Sequence, residues 1–290
     1  MQGRVCVVTG ATRGIGRATA GELAALGAEL VLVGRDQRML DEAVGATAKE
    51  TGNDRISGIR MDLASMNSIR KGAAEILQRW PAIHVLVNNA GVNAKRRTPS
   101  ADGRELTLAV NHLAPFLLTS LLAPALIRAA PSRVVNVTSV FAHLGHVDLD
   151  DLEQGRRSYS STRAYNRSKL ANVMFTLELA ERLRGTGVTA NGVSPGLVAT
   201  DLLREHWYMT SPKLRFWHGL LMTPERAAER VVHVATSPAL ERVTGTILTG
   251  SDKPARVPRG ARDPGRRTRL WELTAIMTTA PTIPVRNPTR

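Results

Sequence analysis

Val5-Cys6-Val7-Val8-Thr9-Gly10-Ala11-Thr12-Arg13-Gly14-Ile15-Gly16 is the stretch on which the fold turns. An apolar run that never alternates with polar residues suits a strand covered on both faces, as in a parallel sheet flanked by helices. Three glycines then separate that run from a helical stretch, where the chain has to turn tightly and bring backbone N–H groups at a helix N-terminus close to a phosphate. The spacing is G-x-x-x-G-x-G, which differs from the commoner G-x-G-x-x-G, so the dinucleotide reading leans on its surroundings. Taken alone, the string would also serve as a plain strand-to-helix turn.

Outward from that loop, short β-branched runs alternate with helical stretches, the pattern of parallel βαβ units. Strands are expected near Val5–Val8, Leu30–Val33, Ile56–Met61, Ile83–Val87, Val134–Val137, Thr189–Val193 and Thr246–Leu248. One helix is expected from Gly16 to Gly27 and another from about Thr162 to Arg184, stopped by Gly185. The class is therefore α/β: a Rossmann-like, doubly wound parallel sheet of about seven strands in a single domain, a size that 290 residues accommodate. Residues 1–252 form the dinucleotide-binding catalytic domain, and 253–290 a basic Pro/Arg-rich tail, loose except where the apolar island Leu270–Met277 docks.

Hydrophobic residues at 43% with aromatics at only 4% describe an aliphatic, alanine-rich core and exclude a disordered chain. The single cysteine, Cys6, lies in the first apolar run, which rules out an intrachain disulfide and a multi-cysteine metal site and points to the cytoplasm. The net charge of +14 raises nucleic acid or an anionic surface as a partner. Half of the excess sits in the last 38 positions, where nine basic and two acidic residues leave +7, so a solvated terminus is expected and no nucleic-acid partner. The first apolar run leads straight into the glycine loop, so no signal peptide is expected. Leu113–Ile127 falls short of the roughly 20 residues of a bilayer span and reads as a buried helix, without a membrane anchor.

Candidate site residues follow from position and chemistry. Arg35 closes the second strand where dinucleotide folds place an acidic group for a ribose hydroxyl, and a guanidinium there pairs with a 2′-phosphate. With Arg13 in the loop it favours NADP(H) over NAD(H), while Asp36 either turns to the ribose or caps the next helix. Asp62, after the third strand, accepts from an adenine amino group or caps its own turn. Asn88-Asn89-Ala90-Gly91 ends the fourth strand with small residues where backbone passes close to a bound ring. Tyr165 and Lys169 are four apart on a helix, so the ammonium can lie near the phenol. Acid–base work near neutrality requires lowering a phenol's ordinary pKa of about 10 by two or three units, roughly 3–4 kcal/mol, to which the ammonium and an oxidised nicotinamide would both contribute. Ser139 follows the fifth strand and can donate to a substrate oxygen, and Asn111 interrupts an apolar helix with a group that needs buried partners.

Together, Thr9 to Gly16, Asn88 to Gly91, Asn111, Ser139, Tyr165-Asn-Arg-Ser-Lys169 and Ser194-Pro-Gly196 resemble the short-chain dehydrogenase/reductase family, in its order, over residues 1–250. Ala101-Asp-Gly103, Asn111-His-Leu113, Ala142-His143, Ser168-Lys-Leu-Ala-Asn172 and Leu270-Trp-Glu-Leu273 are similar to its retinol dehydrogenase-type group. The resemblance implies a catalytic tetrad in which Tyr165 exchanges a proton, Ser139 orients the oxygen, Lys169 also holds the nicotinamide ribose and Asn111 supports a water relay. It implies cofactor contacts from Gly10, Thr12, Arg13, Gly14, Ile15, Gly16, Arg35, Asp62, Leu63, Asn89, Ala90, Gly91, Tyr165, Lys169, Pro195, Gly196, Val198 and Thr200. Departures are Ala114-Pro115 where that group commonly has Gly-His and His84 for a frequent aspartate, and the N-terminal anchor of its membrane members is not expected here.

Trp207, Tyr208, Phe216 and Trp217 bring four of the chain's 11 aromatics into 11 positions, so residues 201–222 are expected to form a lid for an apolar substrate. An amphipathic helix or a partner patch is the competing account of those rings. His143, His146, Asp148, Asp150 and Asp151 match no ligand spacing, so no metal is expected. The expected function is NADP(H)-dependent hydride transfer between a hydrophobic alcohol and its ketone or aldehyde, with a homo-oligomer allowed for. The alternative is a non-catalytic dinucleotide-sensing protein.

Overall fold

Successive residues of strand β1 (Val5–Thr9) turn to opposite faces, Val5 and Val7 into one apolar core and Cys6 and Val8 into the other. The same sorting holds in β2 (Glu29–Gly34), where Val31 and Val33 part from Leu30 and Leu32. This two-faced burial explains why the strands carry no polar alternation. The computed structural model describes residues 1–156, 158–198 and 221–283. Among these, seven strands form one parallel sheet, with β3 (Ile56–Arg60), β4 (Val85–Asn88), β5 (Ser132–Val137), β6 (Val188–Val193) and β7 (Ile247–Leu248) joining the first two in the order β3-β2-β1-β4-β5-β6-β7. The order reverses between β1 and β4, which opens a crevice at the carboxyl ends of β1, β4 and β5.

Helices α1 (Gly14–Ala25) and α2 (Gln37–Thr51) cover one face of the sheet, and α3 (Met66–Arg79), α5 (Ala114–Arg128) and α6 (Ser161–Arg182) the other. Helix α7 (Pro224–Thr236) packs beside α1. Ahead of α5 lie the single turn α4 (Leu106–Leu108) and a π-turn, Ala109–Leu113. All seven expected strands are present, with β4 beginning at Val85 rather than Ile83. Helix α1 starts earlier than expected, because Gly14 to Gly16 make its first turn, and Gly27 ends it with φ +79°. The apolar run Leu113–Ile127 is the buried helix expected.

The tail differs from expectation in part. The island Leu270–Met277 docks as expected, but it belongs to a full helix, α8 (Pro264–Thr278), where a loose flank was expected. Asp263 accepts from the Arg266 N–H and Pro264 fills the first helical position, a start signal that composition alone hides. Trp271 then packs against Phe116 and Phe175, and Arg182 lies 4.4 Å over its ring. Thr200 and all but the last two residues of the expected 201–222 lid, including its four aromatics, lie outside the described residues.

Candidate active site

The glycine loop is held by its backbone. Gly10 and Ala11 both donate to the Val33 carbonyl, and Gly10 and Gly14 occupy the left-handed region at φ +65° and +55°. A Cβ on Gly16 would run into the Gly10 carbonyl and the Asn89 amide, so only glycine lets the first turn of α1 lie on the loop. Helices α2, α3, α6, α7 and α8 each begin with a capping Asp, Ser or Thr, whereas α1 begins at Arg13 with no side-chain cap. Its first-turn N–H groups suit an anionic ligand, so the cradle fits a dinucleotide phosphate.

The loop after β4 is stitched to this cradle. The Thr9 hydroxyl donates to the Val87 carbonyl and accepts from the N–H groups of Asn89 (3.0 Å) and Ala90 (3.1 Å). The Asn89 side chain donates back to the Thr9 carbonyl at 2.9 Å. Beneath, Asn88 donates to Asn136 at 2.8 Å and to Thr119 at 3.0 Å, and Asn136 donates to Thr176, a buried polar chain across β4, β5, α5 and α6. Sequence reasoning missed Thr9, Asn136 and Thr176, since a polar residue inside an apolar strand or helix gives no sign of its partner.

At the far end of the crevice Arg35 is exposed beyond β2, and the Arg60 guanidinium, brought alongside by the pairing of Gly34 with Arg60, donates to the Arg35 carbonyl at 3.3 Å. Arg60 was not foreseen; the signal was its place at the end of a neighbouring strand. The Asp36 carboxylate caps α2 through the Met39 N–H, and Asp62 accepts from the Ala64 N–H. Leu63 is half-buried against the α3 and α5 core, Ile15 packs against the α1 side, and the Thr12 methyl faces Gly34. Beyond β6, Gly196 has φ +94°, Arg230 donates to the Pro195 carbonyl, and buried Val198 bridges to Met222.

The polar candidates converge between these loops. Tyr165 and Lys169 project from one face of α6, whose start is fixed by Ser160 capping Arg163. The Lys169 ammonium, only 3% exposed, donates to the Val137 carbonyl at 2.9 Å and lies 5.7 Å from the centre of the Tyr165 ring. Ser139 stands two residues past the end of β5, its hydroxyl within hydrogen-bonding reach of Tyr165. Gly91 forms the floor: a Cβ there would stand 3.5 Å from the side-chain Oδ1 of Asn111 and 3.7 Å from the Lys169 nitrogen. Asn111 is satisfied on every side, accepting from the Val92 N–H at 2.7 Å and donating to the Val92 carbonyl and the Ser168 hydroxyl, both at 2.9 Å. Proline at 115 has no N–H for the Asn111 carbonyl four residues back, and the chain takes a π-turn in which the Ala114 N–H reaches Ala109, five residues back.

In the protein alone, burial holds the Tyr165 phenol up at about 12, with the Ser139 hydrogen bond pulling it down less. The Lys169 ammonium faces the ring and gives one of its three N–H groups to the Val137 carbonyl. Burial pushes Lys169 itself down to about 8. The site thus presents a protonated phenol, poised as an acid, beside an amine that changes charge near neutrality. Phe141 meets the Tyr165 ring edge-on, and Val140 (39% exposed) and Leu144 (72% exposed) continue an apolar shoulder from Ser139. Asp148 and Asp151 accept from neighbouring backbone N–H groups of their own loop, and no group of three metal-binding side chains occurs among the described residues.

Residues 4–210 match the family model for short chain dehydrogenases. The chain is 39% identical to retinol dehydrogenase 13 of Homo sapiens over 94% of this chain and 84% of that one. It is 43% identical to the polyprenol dehydrogenase of Mus musculus over 93% and 82%. Among solved structures, an uncharacterized protein from Mycobacterium paratuberculosis superposes with a TM-score of 0.80 at 29% identity, covering 98% of this chain and 96% of that one. A protein from Beutenbergia cavernae with bound NADP superposes with a TM-score of 0.69 at 27% identity, over 87% and 96%.

Proposed function

Because the chain belongs to the short-chain dehydrogenase family, we propose that it interconverts a hydrophobic alcohol and its aldehyde or ketone with NADP(H) as the redox partner. The observation that carries the reading is the meeting of Ser139, Tyr165 and Lys169 over the backbone floor at Gly91. When bound, the nicotinamide supplies or accepts the hydride; everything else falls to the chain's own groups. The Ser139 hydroxyl holds the substrate oxygen. The Tyr165 phenol gives its proton to that oxygen in reduction and takes it back in oxidation. Lys169, anchored on Val137, places positive charge beside the phenol and favours the phenolate that forms. Asn111 ties the Val92 loop to Ser168 and so keeps the floor and α6 in register.

NADP(H) is favoured over NAD(H) by the exposed guanidinium of Arg35 with Arg60 at its side, and by the Asp36 carboxylate being engaged as a helix cap. An apolar substrate suits the shoulder of Val140, Phe141 and Leu144, and the names of two relatives, retinol and polyprenol dehydrogenase, both denote isoprenoid alcohols. A cytoplasmic body goes with this reading. The stretch Leu106–Arg128 is long and apolar enough to cross a bilayer, but 83% of its most apolar 18-residue window is buried inside the fold, and it carries Asn111. The test is turnover of a panel of isoprenoid and aromatic aldehydes and ketones with NADPH and with NADH. Faster turnover with NADPH on the apolar members supports the reading, and no turnover with either nucleotide refutes it.

A further inference from the structure

Behind the π-turn sits a second polar junction that the proton chemistry does not use. His112, 1% exposed, follows Asn111 and points away from the crevice. Its Nε2 lies 2.9 Å from the hydroxyl of Thr274, on the C-terminal helix α8, and its Nδ1 lies 3.4 Å from the side-chain oxygen of Asn172. Asn172 stands on α6 one turn beyond Ser168 and Lys169, so the imidazole joins the π-turn, the helix of Tyr165 and the C-terminal helix at one point. Burial pushes His112 down to about 4, so the ring is neutral at working pH. The Thr274 hydroxyl donates to the Leu270 carbonyl at 2.7 Å, so towards the neutral ring it is the acceptor and Nε2–H the donor.

The strut that carries Thr274 is fixed independently. Arg70 donates to the carbonyls of Thr278 and Thr279 at the end of α8, Trp271 is packed between Phe116, Phe175 and Arg182, and Arg266 reaches the Val147 carbonyl in the loop between Ser139 and Tyr165. A π-turn holds one residue more than an α-turn. If it relaxed to α geometry, Asn111 would swing by about 100° around the helix axis, away from Ser168.

We infer that His112 and Thr274 are positioning residues, through which the C-terminal helix locks the π-turn and thereby sets Asn111 against Ser168 and the helix bearing Tyr165 and Lys169. This rests on the dehydrogenase reading above. Removing the Thr274 hydroxyl leaves a buried imidazole N–H without its acceptor, and the turn gains a reason to rearrange.

The experiment compares full-length wild type, Thr274→Val, Thr274→Ser and the solvent-facing control Ile276→Lys, each saturated with NADPH. Steady-state kinetics on a carbonyl turned over by wild type is combined with hydrogen exchange of the backbone amides of residues 109–113. Thr274→Val is expected to lower kcat about tenfold while the substrate KM and the NADPH Kd stay within about twofold. It also exchanges the π-turn amides faster, and Thr274→Ser restores both readouts while Ile276→Lys matches wild type. Wild-type kcat and exchange in Thr274→Val overturn the inference, as does a Thr274→Ser variant as impaired as Thr274→Val. Should Thr274→Val fail to fold, His112→Gln carries the same two readouts with the same expected and overturning results. If wild type turns over no carbonyl, the functional reading has failed, and the exchange comparison still decides whether α8 locks the turn.

Discussion

Replacing Lys169 with methionine should stabilise the protein while destroying its activity. The amine is 3% exposed, and burial moves it from its ordinary 10.5 to about 8. Two and a half pKa units correspond to about 3 kcal/mol of penalty for holding the charged form in the fold. Methionine keeps the length, removes the charge and loses one hydrogen bond to Val137, which is worth about 1 kcal/mol. The net gain in the cofactor-free protein at pH 7 is therefore about 2 kcal/mol, or roughly 5 °C in Tm for a domain of this size. The sign with pH is fixed. The folded-state value lies below the unfolded one, so the penalty is full below pH 8, shrinks as pH rises from 8 to 10.5 and is absent above that. Thermal melts of wild type and Lys169→Met at pH 7 and near pH 10 test this. The variant should melt higher at pH 7, with the gap mostly closed near pH 10. A variant that melts lower at pH 7, or a gap indifferent to pH, would refute the view that the site stores a desolvated amine.

Other consequences are direct. Gly16→Ala drives a methyl into the Gly10 carbonyl and the Asn89 amide; it should cost at least about 2 kcal/mol in denaturant melts and abolish NADPH binding. Arg35→Ser should raise the Kd for NADPH about tenfold and leave that for NADH within about twofold, read by cofactor fluorescence; equal losses for both would remove Arg35 from phosphate recognition. With the phenol held up near 12 in the protein alone, alcohol oxidation, which needs the phenolate, should rise with pH across the neutral to alkaline range. Carbonyl reduction, which needs the phenol, should not rise over the same range. Matching pH profiles in the two directions would contradict the assignment.

The sheet was legible because two-sided burial leaves unbroken β-branched runs, and Val5–Val8 and Leu30–Val33 declare themselves on that ground alone. The glycine loop was legible too, since the left-handed turns at Gly10 and Gly14 and the tight contact at Gly16 tolerate little else. What escaped were pairings made across long sequence distances. Nothing in the string announces that Arg60 supports Arg35, that Asn136 links Asn88 to Thr176, or that Thr274 reaches back 162 positions to His112. In the tail the docking island was legible and the helix start was not: the arginines and prolines read as solvent, yet Asp263-Pro264 starts a helix whose Trp271 face is apolar. Spacing also placed the ammonium near the phenol but could not tell how deeply Tyr165 is buried, which in the protein alone holds it up.

The central claim is that Tyr165 supplies the proton while the neighbouring crevice presents a nicotinamide to a substrate carbonyl. It is tested most directly by following deuterium from NADPH, labelled at its reactive carbon, into an isoprenoid aldehyde, with wild type beside Tyr165→Phe. Wild type should give an alcohol labelled at the former carbonyl carbon. Tyr165→Phe should bind the cofactor with a Kd within about twofold yet give no labelled alcohol. Label transfer by the phenylalanine variant at the wild-type rate, or unlabelled alcohol from wild type, would contradict the account.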